Sequence, residues 1–216
     1  QYQVTLKHTS FSLEGEDVVV NRLLNDKKDG FYIDIGAFDP ILYSNTHMFY
    51  LKGWNGINID ARSDSMDKFK RIRSKDINLE LAVGDHKKSL NYYTFEKNAI
   101  NTFDENVKEL NIKNGNKILS IEKIEVISLK DILDNHKYNI EEIDFMNIDV
   151  EGFELSVLMS NDWSLYSPKF IIIEILNTDL DDISNNDVYK YLYSKSYKLT
   201  SRLINSFIFK LEKNTD

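Results

Sequence analysis

Cysteine is absent from the 216 residues, which excludes a disulfide scaffold, a thiolate nucleophile and any thiolate metal site. Proline occurs only 2 times and glycine only 8, too few for a collagen-like, linker-rich or low-complexity chain. Long apolar runs are missing too. Stretches such as Phe170-Ile171-Ile172-Ile173 fall far short of the roughly 20 residues of a membrane-spanning helix, so no integral membrane segment is expected. Gln1-Tyr2-Gln3-Val4 carries no charged region followed by an apolar core, so no secretory signal is expected and the expected location is the cytoplasm. Positive charge is in deficit, with 27 Lys and Arg against 35 Asp and Glu for a net charge of −8. That balance argues against a nucleic-acid partner. The scarce histidines, His8, His47, His86 and His136, have no ligand spacing, and no metal is expected.

What is present reads as globular: 42% of residues are apolar and 29% charged, enough core-forming material for one α/β domain. Short apolar runs at Phe31–Ile35, Gly56–Asp60, Asn78–Val83, Asp144–Ile148 and Lys169–Glu174 read as strands buried on both faces. Helical spacing lies between them, at Ser63–Ile72 with Ser63 as a candidate cap, at Phe153–Leu158 and at Asn186–Leu192. A closing hairpin is expected from Tyr197–Ser201 and Ser206–Lys210, joined around Asn205. Alternating strand and helix implies a mostly parallel sheet with helices on both faces and an antiparallel edge. Residues 1–216 are expected to form a single domain, with a lead-in helix region over 1–29 and a substrate-side insertion over 89–127. Within that insertion Leu90–Phe95 reads as an extra strand and Asn111–Lys117 as a loop excursion.

In such a sheet, ligands bind beyond the carboxyl ends of the strands. Carboxylates gather there: Asp34 and Asp39 after the first run, Asp60 after the second, Asp85 after the third, Asp149 and Glu151 after the fourth, Glu174 after the fifth. Gly36 allows a sharp turn and close approach of a ligand, and Asp60 follows it by 24 residues, the spacing of an acid that accepts from ribose hydroxyls. The G-x-G-x-x-G cradle is absent, and a pyrophosphate would meet Asp34 and Asp39. A nucleoside cofactor with a positive centre and no phosphate fits better, and S-adenosylmethionine is such a molecule. A plain strand exit would also use Asp34 and Gly36. Ser44-Asn45-Thr46-His47 opens a helix facing the same mouth, so its polar groups are candidate substrate contacts and His47 a candidate base; Ser44 or Asn45 also suits a helix cap. Asp149 is a candidate for taking a proton from a hydroxyl nucleophile. Glu151 serves either that role or the dipole of the following helix. Glu174 is a candidate substrate contact, and with Asp149 and Glu151 it has the donor chemistry for a divalent cation, although no spacing demands one.

Seven blocks carry a resemblance: Ser10–Asp17, Gly30–Ala37, Ser44-Asn45-Thr46, Gly53–Asp60, Leu81–Gly84, Asn101-Thr102-Phe103 and Ile148–Glu154. In this order, over residues 10–210, they resemble the FkbM-type methyltransferases. The resemblance implies a class I (Rossmann-like) fold, a seven-stranded sheet with the last strand antiparallel, and S-adenosylmethionine as cofactor. It also implies O-methylation of a sugar, nucleotide sugar or glycan in surface polysaccharide pathways. Asp34, Gly36 and Ala37 would then line the methionine end, Asp60 with Ala61 the ribose, and Ala82 and Val83 the adenine, with Asp149 and Glu151 near the transferring methyl. Two residues depart from the pattern: Leu13 stands where Gln is frequent, and His47 where an aromatic is common. A non-catalytic binding module in glycan assembly is the alternative, because fold alone does not separate the two.

Overall fold

The computed structural model describes residues 9–85, 88–137, 140–176, 178 and 180–212; His8 and His86 lie outside them. In chain order the elements are α1 (Glu16–Leu23), β1 (Phe31–Ile35), α2 (His47–Leu51), β2 (Asn55–Asp60), α3 (Ser65–Ile72), β3 (Ile77–Glu80), β4 (Ala82–Val83), β5 (Ser89–Phe95), α4 (Glu105–Lys113), β6 (Ile118–Ile127), α5 (Leu129–His136), β7 (Phe145–Ile148), α6 (Glu154–Met159), β8 (Phe170–Glu174), α7 (Asp187–Ser194), β9 (Tyr197–Arg202) and β10 (Ser206–Leu211). Seven strands form one sheet in the order β3-β2-β1-β7-β8-β10-β9. All neighbours pair parallel except β10, which runs antiparallel to both β8 and β9.

The closing hairpin is therefore not a simple edge. Its second strand, with Phe207, Ile208 and Phe209 all buried, goes inside the sheet, and β9, which keeps Lys198 and Thr200 exposed, takes the rim. An apolar strand gains most where both faces are covered, and an edge tolerates polar residues.

Strand side chains alternate between two cores. On one face Ile33, Ile35, Ile57, Ile59, Met146, Ile148, Ile171 and Ile173 pack with Leu133 of α5, Leu158 of α6 and Leu192 of α7. On the other, Tyr32, Phe145, Phe170 and Ile172 meet Val20 of α1, Phe49 of α2 and Trp54. Burying each large side chain contributes roughly 1.5–3 kcal/mol, so the strand order is fixed by these two faces together.

The expected third strand, Asn78–Val83, is broken in two. β3 stays in the main sheet, while β4 leaves it and pairs parallel with β6 in a three-stranded sheet ordered β4-β6-β5. The cause is local: β2 ends at Asp60, whose carbonyl accepts from Leu81 N at 3.0 Å, and beyond that point β6 supplies the ladder. The extra strand expected at Leu90–Phe95 is β5, antiparallel to β6. Asn111–Lys113, read as loop, closes helix α4, whose start is capped by Asp104 accepting from Asn106 N and Val107 N. Ser63 does not cap α3; Asp64 holds that position at φ 60 with no side-chain cap bond. Among the described residues no helix is long and apolar enough to cross a membrane.

Candidate active site

The chain runs outward from β1 to β2 and β3, then returns to place β7 on the other side of β1. The crevice at that reversal opens into a cavity of about 340 Å³ at the carboxyl ends of β1, β2, β7 and β8. Gly36 adopts φ +80, and a Cβ there would lie 1.7 Å from the carbonyl oxygen of Asp149. The turn after β1 therefore rests directly on the end of β7, and only glycine fits. The amides of Gly36 and Ala37 both donate to Ile59 O, at 2.9 and 3.0 Å, which binds the turn to β2.

Asp60 stands at the end of β2, and Ala61 beside it also lines the cavity. Its Oδ2 accepts from Phe38 N at 3.0 Å and its Oδ1 from Arg62 N at 2.8 Å. Each oxygen keeps a second lone pair, and burial pushes its pKa above the usual carboxylate range. Arg62 lies over the Phe38 ring at 5.2 Å and donates to Phe38 O at 2.8 Å. Ala82 and Val83 line the wall opposite, where the 89–127 insertion adds Tyr92, Asn101 and Phe103. The Phe103 ring stands 4.6 Å from Tyr92 and 5.5 Å from Phe153. Thr102 Oγ1 donates to Glu151 O at 2.7 Å, tying this wall to the β7–α6 turn.

A polar row runs through the floor, and its Asp34 and Asn147 line the cavity. Asn78, Asn58, Asp34 and Asn147 share one register across β3, β2, β1 and β7. Asp34, only 2% exposed, accepts from Thr46 Oγ1 at 2.7 Å and from Asn147 Nδ2 at 2.9 Å. Burial raises its pKa, and these hydrogen bonds oppose the rise. Arg73, fully buried, pairs with Asp76 at 2.9 Å and donates to Tyr32 Oη at 2.6 Å and to Thr46 Oγ1 at 3.1 Å. Ser44 and Asn45 line the cavity, whereas Thr46 and His47 are absent from its lining. Thr46 works from below, by holding Asp34. The His47 ring turns onto Phe11, edge-on at 4.6 Å, and burial lowers its pKa. His47, the candidate base expected from its place after β1, thus sits apart from the residues that line the cavity.

At the far end Asp149, Glu151 and Glu174 bring carboxylate oxygens within 4.8 Å of one another. Water reaches Asp149 through the cavity, yet protein encloses it. Burial, then Glu154 and Asp34, push Asp149 up, and burial with Asp149 pushes Glu174 up as well. Burial and Asp149 raise Glu151 to about 8. Glu151 also sits at φ 52, a left-handed conformation that non-glycine residues adopt at a cost. Glu154 Oε1 accepts from Val150 N and Gly152 N at 3.2 and 3.1 Å, so the amides at the mouth of α6 belong to Glu154 rather than Glu151. The three clustered acids could share protons, receive one from a hydroxyl, or ligate a hard divalent cation.

The structure brings together every expected site residue except Thr46 and His47. It adds Asn147 in the floor, Asn58, Arg73 and Asp76 below it, and Tyr92, Asn101 and Phe103 in the wall. A polar residue one position before the end of an otherwise apolar run, as at Asp34 and Asn147, is the signal that could have revealed the floor.

A family model described as "Methyltransferase FkbM domain" matches residues 34–199. No curated protein matches the chain. Among solved structures, the crystal structure of a methyltransferase FkbM from Methylobacillus flagellatus KT is similar, with a TM-score of 0.51 at 16% identity. The similarity covers 84% of this chain and 44% of that one, and at this identity it speaks for the fold. The family match extends over most of the sequence and takes in the end of β1, the Gly36 turn, Asp60 and the acid cluster, and the chain belongs to the FkbM methyltransferase domain family.

Proposed function

We propose that this chain transfers a methyl group from S-adenosylmethionine to a hydroxyl of a sugar or glycan precursor, in the assembly of a surface polysaccharide. The observation that carries the reading is one cavity holding both the Gly36 turn, pressed on Asp149, and Asp60 on the adjacent strand.

The residues suit the cofactor. A ligand can approach the Gly36 backbone, Asp60 keeps lone pairs for ribose hydroxyls, and Tyr92 and Phe103 flank Ala82 and Val83 as a flat apolar wall for adenine. Asn45 Oδ1 and Asn101 Nδ2 are buried without hydrogen-bond partners, as expected where a ligand supplies them. When bound, S-adenosylmethionine would supply a methyl on a positive sulfur that a hydroxyl oxygen could displace, with the neutral thioether as leaving group. Asp149 takes the hydroxyl proton, since a carboxylate whose pKa is raised toward neutrality is a better base. Asp149 and Glu174, both pushed up by burial, titrate as a pair, and a proton held between them keeps Asp149 from standing as a bare charge among acids. Glu151 orients the hydroxyl, and positioning provides much of the rate. An acceptor-rich lining suits a polyol with many O–H donors. A cleft plugged by Phe38 or Tyr43 would favour a non-catalytic binding module. Phe38 and Tyr43 instead stack in the wall at 6.5 Å and leave the cavity open.

Calorimetry with S-adenosylhomocysteine tests the reading. Binding at submillimolar concentration is expected, and its absence would overturn the proposal.

A further inference from the structure

The chain's own acids have claimed several backbone donors at and beside the cavity. Asp60 takes Phe38 N and Arg62 N. Glu154 takes Val150 N and Gly152 N. Glu14 takes Ile204 N, Asn205 N and Ser206 N, and Glu16 takes the Ser206 hydroxyl. The Gly36 and Ala37 amides are spent on Ile59 O. These turn and loop amides are what a phosphate ordinarily uses.

Charge tells the same story. Among the described residues lining the cavity, seven are Asp or Glu, and Arg62 is the one Lys or Arg. Arg62 is itself held on Phe38 O and beside Asp60.

An independent observation concerns Asn45. It is 8% exposed, and its Nδ2 donates to Asn147 Oδ1 at 2.8 Å, while Asn147 Nδ2 donates to Asp34. Asp34 only accepts, so the chain of bonds fixes both amides, and Asn45 Oδ1 is left as a buried acceptor without a partner in the cavity lining. Flipping it would set two carbonyl oxygens against each other. This end of the cavity therefore offers acceptors, and it calls for a ligand that brings O–H or N–H donors.

We infer that the acceptor enters without a phosphate: the sugar that reaches the site is an uncharged or amine-bearing polyol, and sugar phosphates and nucleoside diphosphate sugars are excluded. This narrows the acceptor class of the proposed methyl transfer and rests on that reading. It also places the reaction after a step that removes or replaces the activating phosphate, such as glycosyl transfer.

Calorimetry with adenosine and 5′-AMP separates the two claims. Adenosine tests the nucleoside pocket, and the AMP phosphate probes the space beside Asp34, Asn45 and the acid cluster. AMP is expected to bind about tenfold or more weakly than adenosine at low salt, with the gap closing as ionic strength rises and screens the repulsion. AMP binding as tightly as adenosine at low salt overturns the inference and leaves the adenosyl pocket standing. Failure of adenosine itself to bind removes the pocket and the inference together. Transfer of labelled methyl to any sugar phosphate or nucleoside diphosphate sugar, in a panel that also holds the matching methyl glycosides, overturns the inference whatever the AMP result.

Discussion

A Cβ on Gly36 would have to occupy the space of the Asp149 carbonyl oxygen, so this glycine and that acid are a single feature: the turn proposed to receive the cofactor also sets where the proposed base stands. Replacing Asp149 by Asn keeps its shape and removes its proton affinity. Turnover is expected to fall about 10²–10⁴-fold, with S-adenosylhomocysteine affinity changed only a few-fold, as initial rates and calorimetry would show. In the unaltered protein the rate should rise as pH climbs through neutrality and the cluster ionises. Stability should move the opposite way. Glu151 titrates near the ordinary carboxylate range when unfolded and at about 8 when folded. Its contribution is full below the unfolded value and lost as pH rises through about 8, because only the unfolded chain ionises in that window. The melting temperature of the ligand-free protein is expected to fall between these limits. Glu151→Gln should flatten the fall, and an unchanged slope would show that Glu151 titrates normally.

Tyr92 of β5 and the segment Asn98–Phe103 that leads into helix α4 form one wall of the cavity, with α4 and β6 behind it. Their placement depends on few contacts: Thr102 on Glu151 O, and Val107 against Gly152, where a Cβ would come within 2.6 Å of Val107 Cγ2. The helix start is set by Asp104, whose Oδ1 accepts from Asn106 N at 2.8 Å and Val107 N at 2.9 Å. Asp104→Ala is expected to cost about 1 kcal/mol, or about 2–4 °C in melting temperature for a chain of this size. It should also weaken S-adenosylhomocysteine binding severalfold, because Asn101 and Phe103 lie just before that cap. A stability loss with unchanged affinity would detach the helix from the site.

Across the whole molecule the site and the core meet in Arg73. Its guanidinium reaches Asp76, Tyr32, Thr46 and Pro40 O, and through Thr46 it steadies Asp34 under the cavity. Arg73→Met leaves Asp76 buried and uncompensated, which typically costs about 3–5 kcal/mol. Thermal denaturation should show a drop on the order of 10 °C. Combining it with Asp76→Asn should recover part of that loss, and no recovery would mean that packing around Tyr32 and Tyr50, rather than the stranded charge, sets the cost.

Much of the architecture was legible in the chain itself. Runs such as Phe31–Ile35 and Phe170–Glu174 are apolar enough to demand burial on both faces, and alternation with helices then forces a parallel sheet. Asp34, Asp60 and Asp149 could be read as site residues because a strand ends beside each, and the ends of parallel strands share one side of a sheet. Tertiary structure decided the rest. The departure of β4 toward β6 depends on a partner strand some forty residues away in sequence, and the entry of β10 inside the sheet depends on which strand the core can cover. His47 follows β1 as a base would, yet the packing of α2 turns its ring to Phe11. Tyr92 and Asn101 carry no local mark of a ligand, since only folding of the insertion brings them over Asp60. Hydrophobic periodicity is a property of neighbours along the chain and survives in the sequence. Which polar groups face one another, and which remain unpaired, is set by contacts between distant segments and exists only once they have closed.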